Sequence, residues 1–395
     1  MHDMCKIWVV LALVMSGTVH AEAADTRVCI EDFSEQADYF PEKAVVEAAS
    51  NFSVEYHGYY KLVTVPRPYS GGRAETYLLV QCGAPVPDLD ISIAATITIP
   101  IQSVFVGSTT QNPSLEALGR LAAITGVAHK DYISLPSVVE RVASMDVVEF
   151  EPNGVLDAEK VVASWPDAFM SAGSSSAELA TIRNIGIPVI HHADYQENTP
   201  LGRAEWVKFT STFFNDEEKA NGIYQEIARD YLEASSLVSS LPEEARPKVL
   251  SGAAYEGIFF AAGGESFVAN AIRDAGGRYI FSDNTSTGSF QIHDLERLIV
   301  SALEADFWIH ASNSYSRLSD IEADDPRLAQ LPAALSGQVW MPDALKGENG
   351  GIQFYELGTL RPDLVLRDLI SIFHPELESG HQRVFYRSIL SDDAE

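Results

Sequence analysis

The sequence predicts an α/β protein: two three-layer α/β lobes joined by one long interdomain helix, with a small β-rich extension ahead of them. Three observations lead there. Strand-like and helix-like runs alternate over most of the chain, the order of βαβ units with a largely parallel sheet. One stretch near the middle, residues 215–241, carries an unbroken helical period. The segments flanking it share a local echo.

A chain of 395 residues suggests two or three domains. Its net charge of −29 is spread along the sequence, which suits a solubilising surface. Nucleic acid and an anionic membrane surface would both repel it, so neither is expected as a partner.

Residues 1–23 read as a secretory signal peptide. Lys6 precedes the apolar run Ile7–Met15, which is too short to cross a bilayer, and Ala21-Glu22-Ala23 offers small residues for cleavage before Ala24. Cleavage after Ala21 is the neighbouring alternative. No cysteine follows the apolar run, so lipid attachment there is not expected, and no second long apolar segment exists. The expectation is a soluble, periplasmic protein. Cys5 leaves with the signal, and the remaining pair in an exported chain points to a Cys29–Cys82 disulfide, two free thiols being the alternative.

Residues 24–96 form the extension. Phe52–Tyr56, Tyr59–Val65 and Glu75–Gln81 are aromatic and β-branched runs separated by Pro66, Pro68 and Gly71-Gly72, which predicts a small antiparallel sheet.

The first lobe spans residues 97–214. Ile101–Val106 is a buried-type strand, Gly107-Ser108-Thr109-Thr110 its exit, and Asn112-Pro113 starts a helix with proline at the first position. Asp157–Ser164 and Ala177–Asn184 read as helices, Asp167–Met170 and Pro188–His191 as strands. In the interdomain helix, apolar Ala220, Ile223, Ile227, Tyr231, Ala234 and Val238 recur at about 3.6 residues, with Asn215 or Asp216 as cap and Pro242 and Pro247 at the exit. Alone, that period also fits an ordinary amphipathic surface helix. The second lobe, residues 242–395, restarts the pattern: strand Lys248–Ala253, turn Gly263-Gly264, helix Ser266–Ala275, helix Asp294–Leu303, strands Asp306–His310 and Gln338–Trp340, and a closing helix Asp363–Phe373. The echo is Glu159-Lys160-Val161-Val162-Ala163-Ser164 before Ala168-Phe169, against Glu296-Arg297-Leu298-Ile299-Val300-Ser301 before Asp306-Phe307. A duplicated lobe accounts for it better than two unrelated amphipathic helices.

Several stretches, in order, resemble the helix-linked periplasmic substrate-binding proteins of ABC importers, in the iron–siderophore and vitamin B12 branch. They are Ser103–Thr110 with Leu115-Glu116-Ala117-Leu118-Gly119, Asp157–Val162 with Trp165-Pro166-Asp167, Ile185-Gly186-Ile187-Pro188-Val189, Pro200–Trp206, and Arg361–Leu369 with His374-Pro375-Glu376-Leu377. The likeness covers roughly residues 97–377; the extension departs from it. It implies a non-catalytic, cofactor-free monomer that binds a small molecule between its lobes and hands it to an ABC permease in the inner membrane. The implied ligand is a metal chelate, foremost an iron–siderophore, with cobalamin and haem as near alternatives. By motif position, Glu159 and Glu296 dock the permease, as paired carboxylates can on arginines; each also complements its own helix dipole.

Ligands of open α/β sheets sit beyond the C-terminal strand ends. The candidate lining residues are therefore Ser108, Thr109, Thr110, Ser171, Tyr195 and Glu197 in the first lobe. In the second they are Tyr255, Phe259, Thr287, Ser312, Tyr315 and Trp340. Aromatics offer flat apolar area and hydroxyls orientation. Arg203 suits either an anionic chelate or a structural pairing with Glu205 or another acid; the structural role is the expectation. The adjacent His191-His192, with His310 or Glu197, raises a free zinc or manganese ion as a rival cargo, and a histidine could instead be an axial ligand to haem or cobalamin. No GxSxG, P-loop, GxGxxG, HExxH or CxxC pattern is present to suggest an enzyme.

Overall fold

The computed structural model describes residues 27, 29–144, 147–173, 175–311 and 315–389. The predicted signal peptide and Ser312 lie outside the described residues. Three sheets organise the rest. The extension holds β1 (Ser53–His57), β2 (Tyr60–Val65), β3 (Glu75–Gln81) and β4 (Ala95–Ile99) in that spatial order. The first lobe holds β5 (Val104–Val106), β6 (Ile124–Val127), β7 (Val148–Glu149), β8 (Ala168–Ser171) and β9 (Val189–His191), all parallel, ordered β7-β6-β5-β8-β9. Its helices are α1 (Asn112–Ala117), α2 (Pro136–Ser144), α3 (Ala158–Ser164), α4 (Ala177–Asn184), α5 (Pro200–Ala204) and α6 (Trp206–Ser211).

The interdomain helix α7 (Glu217–Ser236) leads to the second lobe. Its sheet runs β13-β11-β10-β14-β15-β16, with β12 also on β10; the strands are β10 (Lys248–Tyr255), β11 (Ile258–Ala262), β12 (Arg278–Tyr279), β13 (Ser289–Ile292), β14 (Phe307–Ile309), β15 (Val339–Met341) and β16 (Arg387–Ser388). The helices are α8 (Phe267–Asp274), α9 (Leu295–Ala302), α10 (Leu318–Asp324), α11 (Pro332–Leu335), α12 (Gln353–Leu360) and α13 (Pro362–Phe373).

Two departures from the sequence reading have clear causes. The extension sheet is mixed, not antiparallel: β4 pairs parallel to β3, Tyr77 facing Ala95, because residues 82–94 carry the chain back across the sheet before it enters the first lobe. In the second lobe β10 doubles back as β11 through Glu256-Gly257, both at positive φ (50° and 80°), the backbone that a two-residue hairpin turn with right-handed strand twist requires. That hairpin was not anticipated from the apolar run alone.

The extension shares a core with the first lobe. Phe52, Val63, Tyr77, Leu79 and Ile99 pack with Trp206, Phe209 and Phe213 in one apolar cluster. β4 itself crosses the boundary drawn at residue 96. A Cys29–Cys82 disulfide closes the extension. Buried charge fastens it further. Glu205, fully buried between α5 and α6, accepts the backbone N–H groups of Glu47, Ala48 and Ala49 at 2.8, 2.6 and 2.7 Å, and Lys208 Nζ at 2.7 Å. Buried Lys61 of β2 pairs with Glu217 in the first turn of α7 and donates to Thr212 O (2.9 Å) and Asn215 Oδ1 (2.8 Å). Desolvation pulls the Lys61 pKa down to about 8 against the pull of Glu217.

Helix α7 buries Ala220, Tyr224, Ile227, Tyr231 and Ala234; this is the predicted stripe except that Tyr224 is buried where Ile223 was expected, and Ile223 is half-buried. It packs on α6 at one end and on α13 along the other. Asp216 stands at its cap position, yet its carboxylate is taken by Arg120 at 2.6 and 2.7 Å instead of capping the helix. A second bridge between the lobes is α12, which lies against α1 and the turn preceding it.

Candidate functional site

The first-lobe strand order reverses beside β5: β6 and β7 are added on one side, and the chain then crosses to β8 and β9 on the other. Such a switch point opens a crevice at the carboxyl ends of the strands. The exit of β5 is tight. A Cβ on Gly107 would fall 2.6 Å from Met170 O, so only glycine fits between β5 and β8. The next residues form a short 3-10 turn, Thr109–Gln111, capped by Ser108 Oγ accepting from Thr110 N at 3.3 Å.

Opposite this turn stand α8, the end of β14, α12, α13 and the C-terminal Tyr386. They enclose a cavity of about 170 Å³ whose wall includes Thr110 and Arg203 from the first lobe and Phe267, His310, Phe354 and Tyr386 from the second. The wall is mainly apolar, with few polar groups. The Arg203 guanidinium lies 3.6 Å above the Phe267 ring and donates to Tyr195 O at 2.9 Å. Burial lowers its pKa to about 10, with Asp194 and Glu197 opposing, so it stays charged at neutral pH. His310 sits at φ 55°, a left-handed backbone that turns it off the end of β14. Its Nε2 is 2.6 Å from Tyr386 Oη and its Nδ1 3.2 Å from Ser251 Oγ. Burial pushes its pKa down to about 4, which keeps the ring neutral. Tyr386 is positioned by Asp368, a fully buried carboxylate that accepts the N–H groups of Val384 (2.9 and 3.0 Å), Phe385 (2.6 Å) and Tyr386 (3.3 Å).

On the other side of the 3-10 turn, a second hollow of about 170 Å³ is lined by Ser108, Thr109, Asn112, His129 and Tyr132 among others. Tyr132 is 62% exposed and its ring lies 4.8 Å from that of His129. Here too the second lobe is close: a Cβ on Gly351 would meet Tyr132 O at 2.4 Å.

Of the residues proposed from sequence, Ser108, Thr109 and Thr110 border these two hollows. The others do not join them there. Ser171 is buried at the end of β8, beside a separate hollow with Phe150 and Leu179. Tyr195 donates its hydroxyl to Gly173 O at 2.9 Å. Glu197 is buried by the extension, accepting Ser50 N, Asn51 N and Trp206 Nε1, so it is a structural anchor and not a ligand group. Phe259 is fully buried in the second-lobe core, where Tyr315 also packs with its hydroxyl on Asp324. Trp340 is covered by Arg383, 4.8 Å from its ring. Tyr255 and Thr287 are exposed, Tyr255 at the β10–β11 turn and Thr287 just before β13. Ser312 lies outside the described residues. Arg203 does not pair with Glu205, whose oxygens are already filled; it faces the cavity. Tyr386, Phe267 and Phe354 were missed, and His310, named only as a partner for the His191-His192 pair, stands in the cavity wall apart from it. Only Phe267, directly after the helix-capping Ser266, carried a local signal.

His191 and His192 are turned inward. His192 lies 3.2 Å from Asp194 and packs against Trp206; His191 sits beneath Tyr69 near Glu75 and Arg183. Among the described residues no group of three or more His, Cys, Asp or Glu could hold a metal ion. The two echo helices do match. Asp157 caps α3 and Asp294 caps α9, and Glu159 and Glu296 stand exposed in the respective first turns.

The sequence profile described as periplasmic binding protein matches residues 104–344. The chain belongs to the periplasmic binding protein family. Among curated relatives, an uncharacterized lipoprotein of Methanocaldococcus jannaschii is 25% identical over 369 residues, covering 87% of this chain and 84% of its own. Solved structures of the same architecture include a possible iron-binding periplasmic solute-binding protein of Staphylococcus epidermidis (TM-score 0.55, 15% identity, 70% of this chain and 99% of that one). A periplasmic heme binding protein of Pseudomonas aeruginosa aligns at TM-score 0.55 with 17% identity, covering 73% and 98%. A periplasmic vitamin B12 binding protein of Vibrio cholerae aligns at 0.52 with 15% identity, covering 71% and 99%. At these identities the likeness is one of fold: this periplasmic binding protein shares their two-lobed α/β architecture.

Proposed function

We propose that this chain is the solute-binding component of an ABC import system, carrying an iron chelate of siderophore type between its lobes to a membrane permease. The supporting observation is the cavity between Thr110 and α8: largely apolar walls, with one charged guanidinium held face-on to Phe267. An anionic chelate with an apolar body meets both demands, because Arg203 offers paired donors to a carboxylate while the walls take up apolar area. Haem or cobalamin is the second reading, favoured by the same apolar walls. The inward-facing His191 and His192 do not favour a free zinc or manganese ion.

Native mass spectrometry with metal analysis of the protein purified without refolding tests the cargo. Stoichiometric iron or cobalt with an accompanying organic mass is the expected result; a bare metal ion overturns the chelate reading. On the same proposal Glu159 and Glu296 dock the permease. The double substitution Glu159→Ala, Glu296→Ala then leaves chelate binding intact and abolishes uptake, and surviving uptake refutes the docking assignment. Export through a cleaved signal peptide, rather than lipid anchoring, belongs to this proposal.

A further inference from the structure

The hollow beside Tyr132 has a polarity that the chain fixes from behind. Asn112, 1% exposed at the start of α1, forms part of its wall. The amide Nδ2 donates at 2.7 Å to Glu356 Oε1 on α12, a residue outside that wall. Glu356 is itself fully buried, and its other oxygen accepts Ser134 N (2.6 Å), Leu135 N (3.0 Å) and the Ser134 hydroxyl. Burial raises the Glu356 pKa while these donors oppose that shift; as a carboxylate it has only acceptors to show, and the Asn112 amide then cannot turn round. Its Oδ1 is left buried and without a hydrogen-bond partner. An unmet buried acceptor is costly, and the protein carries this one on a residue of the hollow's wall.

We propose that this hollow is an acceptor subsite, in which Asn112 Oδ1 receives an N–H or O–H donor of the cargo. The inference rests on the cleft reading above and narrows it. The cargo carries a donor-bearing arm, such as an amide N–H or an alcohol hydroxyl not bound to the metal, on one side of the Thr109–Gln111 turn, and its apolar, anionic part lies on the other side against Arg203. A macrocycle whose only polar arms are carboxylates is disfavoured, since a carboxylate brought to Asn112 Oδ1 would set acceptor against acceptor. Tyr132 and His129 supply flat surface beside the arm.

The test uses benzamide, which has N–H donors, and N,N-dimethylbenzamide, which keeps the carbonyl and lacks them. Each is titrated at pH 7.5 into isotopically labelled protein while the Asn112 side-chain amide and Tyr132 signals are followed by NMR. The expected result is that benzamide moves these signals and binds roughly threefold to tenfold more tightly than its dimethyl analogue, one buried hydrogen bond's worth. In Glu356→Gln the new Nε2 takes the place of Oε1 and donates to Asn112 Oδ1; the amide turns, and the preference disappears. Asn112→Leu, which keeps all three Ser134 and Leu135 bonds to Glu356, loses the preference as well and serves if the Gln variant folds poorly. Equal affinity of the two probes, no shift at Asn112, or a preference that survives both variants overturns the proposal. Neither probe contains metal, so a failed chelate reading and a failed acceptor subsite give different results.

Discussion

Glu205→Gln isolates the fastening between extension and first lobe. The wild-type carboxylate has four donors. Oε1 takes Glu47 N and Lys208 Nζ, and Oε2 takes Ala48 N and Ala49 N, all within 2.8 Å. The amide has nearly the same shape, but whichever end carries its NH₂ faces two of these donors. Two buried donors lose their acceptor at about 1–3 kcal/mol each, and Lys208, 1% exposed, loses its buried counter-charge. A total near 4 kcal/mol follows, or a Tm lowered by about 5 °C for a chain of this size. Calorimetry or far-UV circular dichroism reads the shift, and limited proteolysis reads its place: new cleavage between residues 40 and 51. Glu47→Gln is the matched control. That carboxylate approaches Lys208 only to 3.6 Å and is 57% exposed, so its loss costs about 0.5 kcal/mol or less. A Glu205→Gln protein melting within about 1 °C of wild type, with no new cleavage, would refute the claim that these carboxylates hold the extension in place.

Two further outcomes follow from buried titratable groups. Lys61→Met strands Glu217, and stability in urea falls by about 3–5 kcal/mol, whereas Lys61→Met with Glu217→Leu recovers most of it; equal loss in both would show that packing, not the orphaned charge, governs the site. The lowered pKa of His310 makes the folded state bind fewer protons than the unfolded chain between about pH 6.5 and pH 4, so stability is lost as pH falls through that window. Between pH 7.5 and pH 5 the loss amounts to at most about 2 kcal/mol. Urea curves of wild type and His310→Asn, which suits the left-handed backbone, measure it; parallel pH slopes in the two proteins would remove His310 from the account.

Much of this fold was legible because its determinants are local. The apolar stripe of α7, Pro113 at the start of α1 and the Gly-Ile-Pro-Val run before β9 act over a few residues. What escaped is non-local. No feature near Glu197 or Glu205 shows that backbone N–H groups about 150 residues earlier will fill their oxygens, so Glu197 read as a cleft residue. Phe259 and Tyr315 follow strands, as ligand-lining aromatics do, but sequence does not say which side of the strand end is core. His310 and Tyr386 meet only because Asp368 draws the chain at 384–386 back against the second lobe, a contact with no trace in spacing. Arg203 was weighed for both of its roles. The Glu205 pairing fails because other donors fill that carboxylate, while Arg203 donates to Tyr195 O and borders the cavity.

The two crossings between the lobes constrain how the molecule can work. One end of α7 is stapled to the extension through Lys61, and α12, though it belongs by sequence to the second lobe, is gripped by first-lobe groups at Glu356. The lobes therefore behave less like a sprung trap than like the jaws of a stiff clip, joined at two places across the throat. On the proposed carrier role, two such joints oppose wide gaping, and loading is then not announced by a large change of shape. On the proposed docking, a permease must sense cargo as a small change in the gauge between two carboxylates, Glu159 and Glu296, carried on separate jaws.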